Sequence, residues 1–309
     1  MFGGSPLAAQ SPQARAIADL FGDTMIICAA ILALVTGLVA YSIWRFRDRG
    51  GADPEQVEGN KRLEIAWTAA PLAIVAGIFA LTLRAMNASD PPPDREPDLT
   101  VIGHQWWWEV RYKSGAVTAN EIHVPTGKPL VIAVESADVV HDFWVPELGR
   151  KIDAVPGHEN HVWMQADAPG TYIGACAEYC GVQHAWMRIL VVAQAPEDFA
   201  AWEKRTLAPA AMPPSESAAR GAKLFTSMTC VKCHAVAGAD TRDSAKAAPD
   251  LTHLADRTTL GAGIMKNDAD GLARWLKHPQ EIKQGSHMPD EQLSDAQVAD
   301  FVAYFGALK

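Results

Sequence analysis

The 309-residue sequence has no internal repeat and no low-complexity tract, so a solenoid or fibrous architecture is not expected. It has no basic excess either: 27 Lys and Arg against 36 Asp and Glu leave a net charge of −9, and nucleic acid is not expected among the partners. Cysteine is scarce, with five residues in all. The first two dozen residues lack a basic start followed by an apolar stretch, so no intact signal peptide is read there, although a processed remnant stays open. Charge and histidine are both missing from two long apolar runs, residues 25–44 and 65–83.

Each run is about long enough to cross a hydrocarbon core. Buried core helices are the alternative, but soluble helices of that length rarely lack a polar face, and two membrane-spanning helices are expected. Cys28 lies inside the first, as a small apolar side chain. The connection carries Arg45, Arg47, Arg49, Lys61 and Arg62, whereas the second run is followed by Asp90-Pro-Pro-Pro-Asp94. The positive-inside rule puts the connection in the cytoplasm, and both termini on the periplasmic or outer side of a bacterial inner membrane, with lipid around the helices.

Beyond residue 97 the pattern changes twice. β-Branched runs at 99–102, 130–134 and 189–192, separated by turns such as Pro125-Thr-Gly127, read as a β-sandwich or barrel. Residues 218–224, 270–277 and 294–305 have helical spacing, with Ser294 placed as an N-cap. The expected division is an N-terminal segment (1–23), a transmembrane hairpin (24–86), a linker (87–97), an all-β domain (98–195), a second linker (196–215) and a small all-α domain (216–309).

Four cysteines form two close pairs, and in an oxidising compartment two disulfides are the plain reading. The neighbours argue otherwise. Cys176, Cys180, His184 and Met187 fall within twelve positions, with His141 upstream. These are soft and borderline donors, the set copper prefers. Two bridging thiolates, one imidazole for each metal and a weak axial ligand for each, Met187 and a backbone carbonyl, would hold two copper ions in near-symmetry. Trp144 and Trp186 are expected as the shell that excludes water. A disulfide or a tetrahedral zinc site remains as an alternative, although neither requires the methionine three residues after the histidine.

The pattern His141, then Cys176-x-Glu178-x-Cys180-x-x-x-His184-x-x-Met187, behind a two-helix hairpin, resembles cytochrome c oxidase subunit II over about residues 15–195. Gly103-His-Gln-Trp-Trp-Trp108, Phe143-Trp-Val-Pro146 and Lys151-x-Asp153-x-x-Pro156-Gly157 share in it. The resemblance implies a cupredoxin-like domain with a dinuclear copper centre. It also implies that the Glu178 carbonyl ligates one copper, and that its carboxylate helps hold magnesium shared with subunit I. It further implies electron input at Trp106, a proton-path mouth at Glu64 and an acidic docking residue at Asp138. Aromatic packing for Trp106, a favourable helix-dipole charge for Glu64 and a solvated surface charge for Asp138 are the plainer readings.

Cys230-Val-Lys-Cys233-His234 is the attachment signature of a c-type haem: two thiols to add across two vinyl groups and a histidine to ligate iron. A redox or zinc Cys-x-x-Cys gives no reason for the histidine. Pro249, in Ala248-Pro-Asp-Leu251, is placed to orient His234 through its carbonyl. Met288 stands where class I cytochromes c, which this part resembles, place the sixth ligand, with Met265 and His287 as competitors. Lys283-Gln-Gly285 departs from that pattern, in which proline commonly replaces the glutamine.

The expected whole is the electron-input subunit of a proton-translocating cytochrome c oxidase. Electrons pass from its own haem c to dinuclear copper and on to the haem–copper site of subunit I. Subunit III, and a cytochrome c or respiratory complex as donor, are the other partners expected. A copper-containing nitric oxide reductase subunit is an alternative, and so is a membrane-anchored copper-delivery protein, which would need neither haem nor Met187. Residues 98–195 hold 6 basic and 11 acidic side chains, and residues 216–309 hold 11 and 12. With so little complementarity, the haem domain is expected to dock by apolar contact near Trp106.

Overall fold

A computed structural model describes residues 4–48, 50, 58–90, 95–210, 213–237 and 247–309. Arg49 of the basic connection, Pro91–Asp94 of the acidic flank and Ala211 and Met212 of the second linker lie outside the described residues. The chain forms two compact units, one of residues 15–89 and one of residues 1–14 with 90–309.

The first unit holds α1 (Pro12–Arg45) from residue 15 onward and α2 (Lys61–Ser89). At 1.5 Å per residue these 34 and 29 residues each exceed the roughly 30 Å of a hydrocarbon core. Apolar side chains stand exposed on every face, among them Ile26, Leu32, Ile65, Leu72 and Phe79. A soluble helix pair would bury one stripe of them. Asn60 caps α2 by accepting from the Arg62 and Leu63 amides, and Glu64 lies in its exposed first turn.

The larger unit contains a two-sheet sandwich. Its strands are β1 (Leu99–His104), β2 (Trp107–Tyr112), β3 (Val117–Ala119), β4 (Glu121–Pro125), β5 (Leu130–Ser136), β6 (His141–Trp144), β7 (Ile152–Ala154), β8 (Asn160–Met164), β9 (Gly170–Cys176) and β10 (Arg188–Gln194). One sheet runs β3-β2-β1-β5-β8 and the other β4-β10-β9-β6-β7. β1 pairs parallel with β5 and β4 parallel with β10, while the other pairs are antiparallel. Val101, Val110, Ile122, Ile132, Phe143, Ile189 and Val191 fill the space between the sheets. This is the β-sandwich that the β-branched runs anticipate, and the cupredoxin-like domain that the resemblance implies. N-terminal residues are pinned to it: Ser11 Oγ donates to the Leu148 carbonyl and Gln13 Nε2 to the Trp163 carbonyl.

The reach expected as the second linker opens with a helix, α3 (Pro196–Thr206), which packs on the sandwich. Trp202 is buried in the sandwich core and stacks on His123 at 4.2 Å. The aromatic residues Phe199 and Trp202, read as part of a linker, are what hold it down.

After it come α4 (Glu216–Ser227), the two-residue strands β11 (Thr259–Leu260) and β12 (Met265–Lys266), then α5 (Ala269–Lys277), α6 (Pro279–Ile282) and α7 (Asp295–Phe305). Ser294 caps α7 in a reciprocal capping box with Gln297. α4 and α7 cross over a second core of Phe225, Phe301, Tyr304 and Phe305. Gly221 sits at the crossing, where a Cβ would lie 2.7 Å from that of Tyr304.

Candidate metal and haem sites

One thiol-rich site forms where β6 and β9 meet. His141 opens β6, Cys176 ends β9, and the chain returns through residues 177–187 to start β10; the Cys176 amide donates to the Met187 carbonyl at 3.1 Å and closes the loop. The two sulfurs lie 3.8 Å apart and are not bonded to each other. Cys176 Sγ is 3.9 Å from His141 Nδ1, Cys180 Sγ is 3.7 Å from His184 Nδ1, and Cys180 Sγ is 3.9 Å from Met187 Sδ. The Glu178 carbonyl lies 3.2 Å from Cys176 Sγ, while the Glu178 residue itself is exposed. Each thiol thus has one imidazole, and one weak donor stands on each side. His141, Cys176 and Cys180 can offer their ligand atoms within 4.8 Å of one another. His184 falls outside that group because it faces Cys180 alone.

Electrostatics prepare the site. The hydrogen bond between the sulfurs, followed by the approach of His141, holds the Cys176 thiol down to about 3 and pushes Cys180 up. Burial opposes a charged His141, but the Asp138 carboxylate and Cys176 outweigh it and raise its pKa. Asp138 accepts from His141 Nε2 at 2.8 Å and from the Gln105 amide at 2.7 Å. That fixes the tautomer which leaves Nδ1 free for a metal. Asp138, readable as a docking residue or a solvated charge, is therefore a positioning group for His141, and its three-residue spacing was the available signal. Gly103 of β1 makes room for the ring; a Cβ there would be 2.7 Å from His141 Cδ2. The expected shell also changes: Trp186 is 50% exposed, and fully buried Trp108 and Phe143 cover the site instead, Trp108 with its ring 5.8 Å from that of His141.

The second site is a cavity of about 420 Å³ lined by Cys230, Cys233, His234, Pro249, His287 and Met288, with Phe225, Leu272, Leu276 and Phe301 as apolar wall. His234 Nδ1 lies 2.7 Å from the Pro249 carbonyl, and burial lowers the pKa of the ring. Neutral imidazole with Nε2 left available is what iron needs. Gln280 Nε2 donates to the Met288 carbonyl at 2.6 Å and so holds that loop in place of a proline. Met265 pairs with Leu260 in the small hairpin and is not part of the cavity lining.

The two sites share a boundary. Gln105, Trp106 and Trp107 of the sandwich also line the cavity. Trp106 Nε1 donates to the Cys180 carbonyl at 2.9 Å, and its ring lies 5.1 Å from that of His287. The seam is not the simple apolar contact expected from net charges. Lys283, 5% exposed, crosses it with its ammonium, whose pKa burial lowers to about 7 against the nearby Cys180. Buried Glu121 crosses from the other side. A net-charge count sees the long-range field and misses individual charges held by backbone dipoles.

Residues 113–194 match the family described as cytochrome C oxidase subunit II, periplasmic domain, residues 7–84 its transmembrane domain, and residues 218–309 cytochrome c. Cytochrome c oxidase subunit 2 of Alkalihalophilus pseudofirmus is 36% identical over 310 residues, covering 97% of this chain and 89% of the relative. The chain belongs to the cytochrome c oxidase subunit II family. Subunit 2 of Bacillus subtilis is 32% identical over 332 residues, with 99% of this chain and 93% of the relative covered. A solved periplasmic domain of subunit II of cytochrome oxidase from Bradyrhizobium japonicum is 33% identical, covering 37% of this chain and 99% of that one, with a TM-score of 0.34. As a subunit II with a cytochrome c domain, the chain is part of a membrane-anchored oxidoreductase in complex with subunit I, with a periplasmic domain that takes copper and a helical domain that takes haem c. The donor sets described above fit both groups.

Proposed function

We propose that the chain is the electron-input subunit of a proton-pumping cytochrome c oxidase. It passes electrons from its haem-bearing domain to a dinuclear copper centre and on to the oxygen-reducing site of subunit I. One-electron carriage is the chemistry that both groups supply when bound. Cys176, Cys180, His141 and His184 would hold the copper pair, with Met187 and the Glu178 carbonyl as weaker donors. Cys230 and Cys233 would attach the haem through thioethers, His234 and Met288 would supply donors to its iron, and the Pro249 carbonyl orients His234. Trp106 is the electron-input residue of the copper domain. The observation that carries the reading is the pair of unbonded sulfurs, each with its own imidazole.

Further assignments belong to the same proposal. The exposed Glu178 carboxylate joins ligands of subunit I around magnesium, and Glu64 stands at the mouth of a proton path into that subunit. Subunit III is a further partner, and a cytochrome c or a respiratory complex is the donor. The chain spans a bacterial inner membrane twice, with both soluble domains on the periplasmic side. The test is paramagnetic resonance on the oxidised complex, with oxygen uptake driven by reduced cytochrome c. One unpaired spin shared by two copper nuclei is expected, with uptake; a spin confined to one nucleus defeats the proposal.

A further inference from the structure

Among the described residues, Lys283 and Glu121 are the charged side chains that hydrogen-bond across the seam, and each is received by the main chain of the other domain. Lys283 follows α6 in the helical domain. Its Nζ donates to the carbonyls of Trp106 at 2.9 Å and Trp186 at 3.0 Å, both in the copper domain, and to that of Gly261 at 2.9 Å in its own. An ammonium has three N–H donors, and all three are used. Glu121 begins β4 of the copper domain and is 1% exposed. Its Oε1 accepts from the Thr258 and Thr259 amides at 2.8 and 2.9 Å and from their hydroxyls at 2.9 and 3.0 Å. Thus a cation of the helical domain meets copper-domain carbonyls, and an anion of the copper domain meets helical-domain amides.

Both anchors stand at the cavity. Lys283, Thr259 and Gly261 line it together with Trp106 and Trp107. The Arg188 amide donates to the Ala262 carbonyl at 3.1 Å between them, and Gln183 donates to the Gln284 carbonyl beyond Lys283. Apolar surfaces can slide against each other with little loss, because burial is non-directional. Hydrogen bonds to buried charges are directional, and leaving either group buried without its partners is costly. A displacement that widens the gap between the cavity and Trp106 therefore breaks contacts at an anchor.

We propose that Lys283 and Glu121 are reciprocal positioning residues that hold the haem cavity against Trp106, setting the geometry for electron transfer between the two domains. The inference rests on the electron path proposed above and adds to it the two residues that set its length. Lys283 meets Trp106 only at its carbonyl, and Glu121 meets neither Trp106 nor the cysteines and histidine of the cavity. Both act through backbone, Lys283 on the two tryptophan loops and Glu121 on the Thr258–Thr259 turn.

The test uses the complete oxidase complex with K283M and with E121Q, a near-isosteric change that removes the charge. One electron is injected into the haem domain by a photoreductant and its arrival at copper is timed, while hydrogen exchange is followed at the Thr258 and Thr259 amides. Wild type is expected to transfer at a rate independent of viscosity. Each variant is expected to slow at least about ten-fold and become viscosity-dependent, with unchanged absorption and midpoint potentials of both centres. Exchange at Thr258 and Thr259 rises even in K283M, whose substitution lies at the other anchor. Unchanged transfer rates in both variants, or slowing only with an altered potential, overturn the proposal and leave the electron path standing. Absence of transfer in wild type removes the path itself, and this proposal with it.

Discussion

Asp138 carries no metal ligand atom in the proposed copper site, yet the site depends on it. Its carboxylate accepts hydrogen bonds from His141 Nε2 and the Gln105 amide. The D138A variant is therefore expected to bind copper about 10- to 100-fold more weakly, as loss of such an orienting group typically does. Competition against a chelator of known affinity checks this, and unchanged affinity defeats it. Met288 gives a contrasting expectation, because the cysteines hold the haem independently of it. In M288A the haem stays covalently attached and its midpoint potential falls, since a Met ligand raises the potential. Redox titration beside a haem stain reads both; an unchanged potential would point to His287, which lines the same cavity.

At the scale of elements, α4 and α7 cross in close contact at Gly221. A Cβ at Gly221 would meet the Asp300 carbonyl and lie 2.7 Å from Tyr304 Cβ. G221A is expected to destabilise that domain by about 1–3 kcal/mol, the usual cost of overpacking. Thermal unfolding followed by haem absorbance measures it, and an unchanged transition refutes it. Such junctions also mark where the sequence could and could not be read. Cys176, Cys180, His184 and Met187 were legible because one short loop carries four donor side chains. The helices around Phe225 and Phe301 were legible by period, and Ser294 by its capping chemistry. Glu121 and Lys283 were not, because their partners across the seam lie more than ninety positions away and are largely main-chain groups, which no side-chain pattern encodes. Trp186 was misread for a related reason: an aromatic residue beside a ligand looks like shell, but here it lies half in solvent while Trp108 from β2 takes its place.

The molecule as a whole joins its two soluble domains by covalent connection and by the seam contacts, and these separate experimentally. The connection from α3 to α4 spans residues 207–215. If it alone kept the domains together, its length would set how often they meet. Doubling it costs only about 0.6 kcal/mol in closure entropy, so a variant with a doubled connection is expected to keep its internal transfer rate within about threefold of wild type. A much larger fall would make the connection, and not the seam, the controlling feature.

The packing of Trp107 against Ala262 and of Trp106 beside His287 has a last consequence. A soluble redox protein arriving from the periplasm finds this face of the copper domain already occupied by a permanent resident. On the proposed path its electron enters through that resident, so an oxidase prepared with C230A and C233A, unable to attach haem, is expected to stop turning over with external reduced cytochrome c altogether. On that path, a carrier built into the same polypeptide gives exclusivity: a socket that no stranger can plug into.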